Sequence, residues 1–67
     1  MTGKGPFGVP VVCSYEEREG DTVVSTGRLT LDRVPSVGDV LRLGGRRVRV
    51  EEVVPRADEV RLVLERL

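Results

Sequence analysis

The sequence predicts an all-β fold: a small barrel of five short, mostly antiparallel strands with no substantial helix. Three observations support this prediction. Valine supplies 14 of the 67 residues, and β-branched side chains favour strands. Apolar and polar residues alternate with a period of two, whereas no stretch longer than eight residues shows helical periodicity. Turn-forming residues separate the alternating stretches, and closure of such strands into a barrel would remove exposed edges.

Composition restricts the possible functions. We expect one domain, with residues 1–8 as a mobile leader and residues 9–67 as the barrel. Eleven basic residues balance eleven acidic ones, so there is no global field to attract nucleic acid. The single cysteine excludes an internal disulfide, and no apolar run is long enough for a membrane helix or a signal peptide, so we expect a cytoplasmic location. The absence of Asn and Gln is compatible with a thermophilic source.

Residues 34–50 organise the chain as a turn, a strand, a hairpin turn and a second strand. Gly44-Gly45 suits a two-residue turn because both central residues need positive φ. The predicted strands 39–43 and 46–54 then face each other with Leu41 opposite Val48 and Arg42 opposite Arg47. One face, the predicted core, carries Leu41, Leu43, Val48 and Val50, and the other carries Arg42, Arg47 and Arg49.

The first predicted hairpin joins strands at 9–18 and 22–33 through a loop at residues 19–21. This loop length would place Cys13 opposite Gly27 on the core face. The same register would set Val11 opposite Leu29 and Tyr15 opposite Ser25. A glycine in the middle of a strand indicates a bend or bulge, which we expect at Gly27.

The last predicted strand, 59–66, pairs with strand 46–54. A loop over 55–59 would place Val54 opposite Val60, Val50 opposite Leu64, and Arg49 opposite Glu65. Glu52 would then point into the core, which is costly for a carboxylate without a partner. We therefore expect a bulge near Glu51-Glu52 that turns it outward.

The residues offer little for catalysis, and we predict no enzyme, no cofactor and no metal. Histidine is absent, which removes the usual general base and zinc ligand. Cys13 falls on the predicted core face, where a thiol is usually a small buried hydrophobe. Neighbouring residues of a strand point to opposite faces, so neither Glu16-Glu17 nor Glu51-Glu52 can act on one substrate bond as acid and base. We expect these four carboxylates to be solvated charges.

The arginines of the central hairpin allow two interpretations. They form either a solvated face paired with nearby carboxylates or an anion-binding strip. Two arginines directly opposite each other repel by roughly 0.2–1 kcal/mol, and an anionic partner would relieve this. The predicted partner-binding residues are Arg42, Arg46, Arg47 and Arg49, with Arg46 at the turn.

Residues 22–29 and 37–43 resemble the β-barrel domain II of translational GTPases of the elongation factor Tu type. The first reads Thr-Val-Val-Ser-Thr-Gly-Arg-Leu, with Ser25 as an extra residue, and the second Val-Gly-Asp-Val-Leu-Arg-Leu. The resemblance covers about residues 21–64 and implies an SH3-like or translation-factor-like barrel that docks on protein or RNA without doing chemistry. No GTPase domain accompanies it, so GTP binding does not carry over.

Two functional hypotheses follow. The first is a non-catalytic binding module that docks on an anionic partner, either structured RNA such as ribosomal RNA or an acidic protein surface. The second is a structural or assembly protein that forms homo-oligomers through an edge strand. Neither involves a membrane.

Overall fold

The computed structural model describes residues 10–67, which form five strands and no helix. The prediction of an all-β chain is confirmed, and each strand begins and ends within two residues of its predicted bounds. The predicted leader at 1–8 lies outside the described residues. The strands are β1 (Val11–Glu19), β2 (Thr22–Leu31), β3 (Val40–Leu43), β4 (Arg46–Pro55) and β5 (Val60–Arg66).

The strands form one sheet in the order β2-β1-β5-β4-β3. Strands β1 and β5 pair in parallel, and the other neighbours are antiparallel. The sheet curls so that residues of β2 and β3, its two edges, line one cavity. The predicted barrel is thus a half-barrel: the strands curve around one core, but no hydrogen-bonded ladder joins β2 to β3.

The core lies on the inner face of this half-barrel. Fully buried residues alternate with more exposed ones along β4 and β5, as the period of two requires, and in β1 Cys13 and Glu17 lie on the same face. The register and faces predicted for the central hairpin are confirmed, and both glycines of its turn have positive φ, 60° at Gly44 and 85° at Gly45. The buried apolar residues are Cys13, Val48, Val50, Leu62 and Leu64.

The register predicted for the first hairpin is wrong by two residues. Cys13 pairs with Leu29 and Tyr15 with Gly27, and Val11 correspondingly pairs with Leu31. One residue of the shift arises because the turn is shorter than expected, with Glu19 already opposite Thr22. The other arises because β2 bulges opposite Glu17 and Arg18, where Val24 has no partner. Beyond the bulge the shift is even, so the side chains from Ser25 to Leu31 stay on their predicted faces. Val23 lies before the bulge, where the shift is one residue, and it is exposed instead of facing the core.

Gly27 was predicted to mark a bend or a bulge, and the bulge is not there. Gly27 pairs regularly with Tyr15, and a Cβ at this position would lie 2.8 Å from the Tyr15 hydroxyl oxygen. The glycine therefore leaves room for the aromatic ring to lie across the strand. The ring of Tyr15 thereby covers the backbone at Gly27, which has no side chain of its own to cover it.

The bulge predicted near Glu51-Glu52 is confirmed, and it lies between Val50 and Glu52. Val50 faces Leu64 and Arg49 faces Glu65 as expected. Beyond the bulge the register changes by one residue, so Val54 faces Arg61 instead of the predicted Val60, which pairs with Pro55. The extra residue turns Glu52 outward, where it is exposed.

A tight turn over residues 36–39 leads into β3. The Asp39 N–H donates to the Ser36 carbonyl at 3.0 Å, and Gly38 has φ +97°, the pattern of a type II turn. Val37 occupies the position that favours proline, and its side chain is 65% exposed.

We predict that Val37→Pro raises the free energy of unfolding by about 0.4–1 kcal/mol, because it restricts the unfolded chain. Chemical denaturation measures this. Gly38→Ala is the opposite control and should destabilise, since alanine disfavours φ +97°. Loss of stability in Val37→Pro would show that the turn has a different conformation.

Candidate functional site

The central hairpin carries three arginines on the outer face of the sheet. Arg47 and Arg49 alternate with the buried Val48 and Val50 along β4, and Arg42 of β3 lies directly opposite Arg47. All three are exposed, as the sequence predicted. The two-glycine turn fixes this placement because it sets the register of both strands.

Arg49 differs from the other two because carboxylates surround it. Its Nε donates to Glu51 at 2.8 Å, and Glu65 lies opposite on β5. By contrast, Arg42 and Arg47 form no ion pair or side-chain hydrogen bond with any of residues 10–67. We call Arg42 and Arg47 the arginine corner.

Elsewhere on the outer face, arginines are paired with carboxylates. Glu16 accepts hydrogen bonds from Arg18 and, at 3.1 Å, from Arg61. The hydrogen bond from Arg18 is the main reason why the pKa of Glu16 is lowered. Arg28 lies 3.8 Å from Glu59. These pairs distinguish the arginine corner from the other arginines of this face.

Arg46 lies on the inner face of the sheet, away from the other three predicted site residues. Its guanidinium binds the Glu17 carboxylate through two hydrogen bonds, Nε at 2.8 Å and a terminal nitrogen at 2.6 Å. Arg66 of β5 adds a third through its Nε, at 3.0 Å. The fork of Arg46 matches both carboxylate oxygens, which is the strongest geometry for this pair.

Glu17 is fully buried, so the expectation that it is solvated was wrong. Glu17 continues the alternation of Val11, Cys13 and Tyr15, and this pattern already indicated that its side chain points inward. The arginines 29 and 49 residues further along the chain could not be assigned to it from the sequence.

Two arginines hold the Glu17 carboxylate in its charged form. Hydrogen bonding to Arg46 is the largest cause, and with Arg66 it outweighs desolvation and lowers the pKa of Glu17 from 4.5 to about 2. The same contact raises the pKa of Arg46. The Glu17–Arg46–Arg66 cluster therefore carries one net positive charge, and both arginine side chains remain about one-third exposed, at 38% and 34%.

Cys13 is buried on the inner face, as predicted, and desolvation raises the pKa of its thiol. Within residues 10–67 no three His, Cys, Asp or Glu side chains are grouped so as to hold a metal ion. The same part of the chain contains no helix that could cross a membrane.

Comparison with known proteins gives no further assignment: no family model, curated protein or solved structure matches this chain significantly.

We predict that Glu17→Gln lowers the free energy of unfolding and makes it depend less on pH below about pH 5. Because the pKa of Glu17 is depressed in the folded protein, its contribution is present above about pH 5 and is lost as the pH falls towards about 2. At pH 7 the loss should be on the order of 3 kcal/mol, the low end for breaking a buried pair, since Arg46 and Arg66 reach solvent.

Urea denaturation between pH 2 and pH 7 measures this dependence. Glu52→Gln is the matched control, because Glu52 is exposed and forms no ion pair with the described residues. If the free energy of unfolding fell as steeply below about pH 5 in Glu17→Gln as in wild type, Glu17 would not be a buried, paired carboxylate.

A second prediction concerns Cys13. Because the thiol is buried and its pKa raised, it should react slowly with a thiol reagent in the native protein and rapidly in denaturant. The two reaction rates are measured spectrophotometrically. Equal rates would contradict the inward placement of Cys13.

Proposed function

We propose that this chain is a non-catalytic binding module whose arginine corner docks on an anionic partner. One observation carries the proposal. Of the ten arginines, six form ion pairs, and Arg33 and Arg56 lie in connecting loops. Arg42 and Arg47 are thus the two strand arginines without an acidic partner in residues 10–67, and they face each other directly.

The arrangement favours anion binding for a physical reason. Like charges placed opposite each other in a sheet destabilise it by roughly 0.2–1 kcal/mol, and a bound anion would remove this repulsion. The planar guanidinium fork matches carboxylate and phosphate oxygens. Because the hairpin already fixes both backbones, less ordering is needed on binding than in a flexible loop.

Arg46 and Arg49, the other two predicted binding residues, take supporting roles in this proposal. Arg46 ties the start of β4 to Glu17 of β1 and so holds the hairpin against the sheet. Arg49 adds a positive charge on the outer face that Glu51 already engages. The binding energy would therefore come mainly from Arg42 and Arg47.

An acidic protein surface fits the arginine corner better than structured RNA. Two phosphate contacts would release few counterions, so counterion release would add little to RNA affinity. The logarithm of that affinity would fall with the logarithm of the salt concentration with a slope of only about 1.4–1.8 in magnitude. Tyr15, the single aromatic residue within 10–67, lies over Gly27 on the inner face and leaves the outer face without a stacking platform. Acidic protein is thus the partner class we propose, with structured RNA tested alongside.

Self-association through an edge strand is the second candidate, and β2 favours it. This ten-residue edge strand has no partner on its outer side within the described part of the chain, and Val23 is 47% exposed. Long edges with exposed β-branched residues promote pairing between chains. A mass that rises with concentration in light scattering would support this candidate.

We predict that Arg47→Glu weakens binding but not folding. The change converts a repulsive cross-strand pair into an attractive one, so stability should hold or rise by about 0.2–1 kcal/mol. Retention on immobilised poly-L-glutamate at low salt should fall, and so should retention on an RNA hairpin if RNA is the partner.

Arg56→Glu is the matched control, because it makes the same charge change in an exposed loop residue without an ion pair. Arg47→Glu should elute at lower salt than Arg56→Glu. Identical elution of the two variants on both supports would overturn the proposed site.

A further inference from the structure

The edge of β3 adjoins both the arginine corner and an apolar cavity. The cavity has a volume of about 160 Å³ and lies between the edges of the half-barrel. Its volume is similar to that of an engineered apolar cavity, about 150 Å³, that binds benzene. There is therefore room for one apolar side chain. The lining residues that face the core are Leu29, Leu31, Leu41, Leu43, Val48 and Leu64.

The backbone of β3 has hydrogen-bonding groups that point towards this opening. The Val50 N–H donates to the Asp39 carbonyl at 2.8 Å, and bonded and non-bonded pairs alternate along an antiparallel ladder. Leu41 and Leu43 therefore bond to β4, while the N–H and C=O groups of Val40 and Arg42 point away from it. Among residues 10–67, no strand neighbours β3 on that side.

We propose that β3 accepts an extended segment of a partner protein in which apolar and acidic residues alternate. An added residue opposite Leu41 or Leu43 would point towards the cavity, which holds one such side chain, and a residue opposite Arg42 would point towards the arginine corner. Backbone hydrogen bonds to Val40 and Arg42 would supply the rest of the affinity. This inference rests on the proposed function and specifies the form of its acidic partner.

Two other occupants fit less well. Nucleic acid has no peptide backbone to match the outward groups of Val40 and Arg42. A symmetric pair of β3 strands from two copies would bring both Arg42 side chains onto one face, where they repel. An acidic segment instead adds the charge that the arginine corner lacks.

A blocked seven-residue peptide of alternating valine and glutamate tests the proposal. Val40→Pro removes one outward N–H without changing charge, and proline is tolerated where a strand edge faces solvent. This variant should bind the peptide about tenfold more weakly than wild type, the effect of one lost hydrogen bond. Val37→Pro is the matched control and should bind like wild type, because it makes the same substitution in the preceding turn.

A second measurement needs no variant. Adding the peptide to the wild-type protein should slow hydrogen exchange at the Val40 and Arg42 amides more than elsewhere. A peptide of the same composition with its valines and glutamates in two blocks should bind more weakly, because it cannot match both faces.

The outcomes separate this inference from the function on which it rests. Normal peptide binding by Val40→Pro with weak binding by Arg47→Glu, or protection confined to other strands, overturns strand addition and leaves the arginine corner standing. Failure of the peptide to bind, with RNA retention lost in Arg47→Glu, overturns the protein segment in favour of RNA. Wild-type binding by both variants overturns both proposals.

Discussion

The buried carboxylate of Glu17 is the interaction on which the arrangement of the strands depends. It joins three strands, because Glu17 lies on β1, Arg46 on β4 and Arg66 on β5. Desolvating a carboxylate costs several kcal/mol, and only good geometry with satisfied hydrogen bonds offsets this. Three guanidinium hydrogen bonds between 2.6 and 3.0 Å meet that condition. A slip of β4 or β5 relative to β1 would remove at least one of these arginines from Glu17, so the contact also favours one register.

That same contact explains why the four predicted binding residues divide into two groups. Arg46 and Arg47 are adjacent in sequence, and their side chains must point to opposite faces of β4. The inner one meets Glu17, while the outer one meets Arg42 across the hairpin. One dipeptide thus contributes an anchor to the inner face and an unpaired charge to the outer face.

The sequence predicted those features that depend on local pattern. The period of two assigned Leu41, Val48 and Arg47 to the correct faces, and Gly44-Gly45 fixed the central register because few residues tolerate positive φ. Registers that depend on a bulge were harder to predict. Around Val24 the pattern does not show which residue is skipped, and an even shift preserves both faces, so the hydrophobic pattern could not reveal the error.

Glu17 was missed for a different reason. Its position in the alternation was inward, but a charged residue at an inward position is normally stable only with a partner, and that partner comes from distant strands. Local patterns carry no information on such pairs. The parallel pairing of β1 with β5, which brings Arg66 next to Glu17, is likewise a property of the topology and not of either strand alone.

The distribution of charge connects the incomplete barrel to the binding that we propose. Basic and acidic residues are equal in number, so the arginine corner does not reflect a general excess of positive charge. It arises because Glu51 pairs with Arg49 and Glu17 with Arg46, while no carboxylate among residues 10–67 pairs with Arg42 or Arg47. The same strand, β3, is the short edge of the sheet. A charged edge strand normally discourages pairing with other chains. In the strand addition that we propose, that barrier would apply to neutral and basic strands, whereas an acidic strand would be attracted to the same edge. The charge would then select which strand can be added.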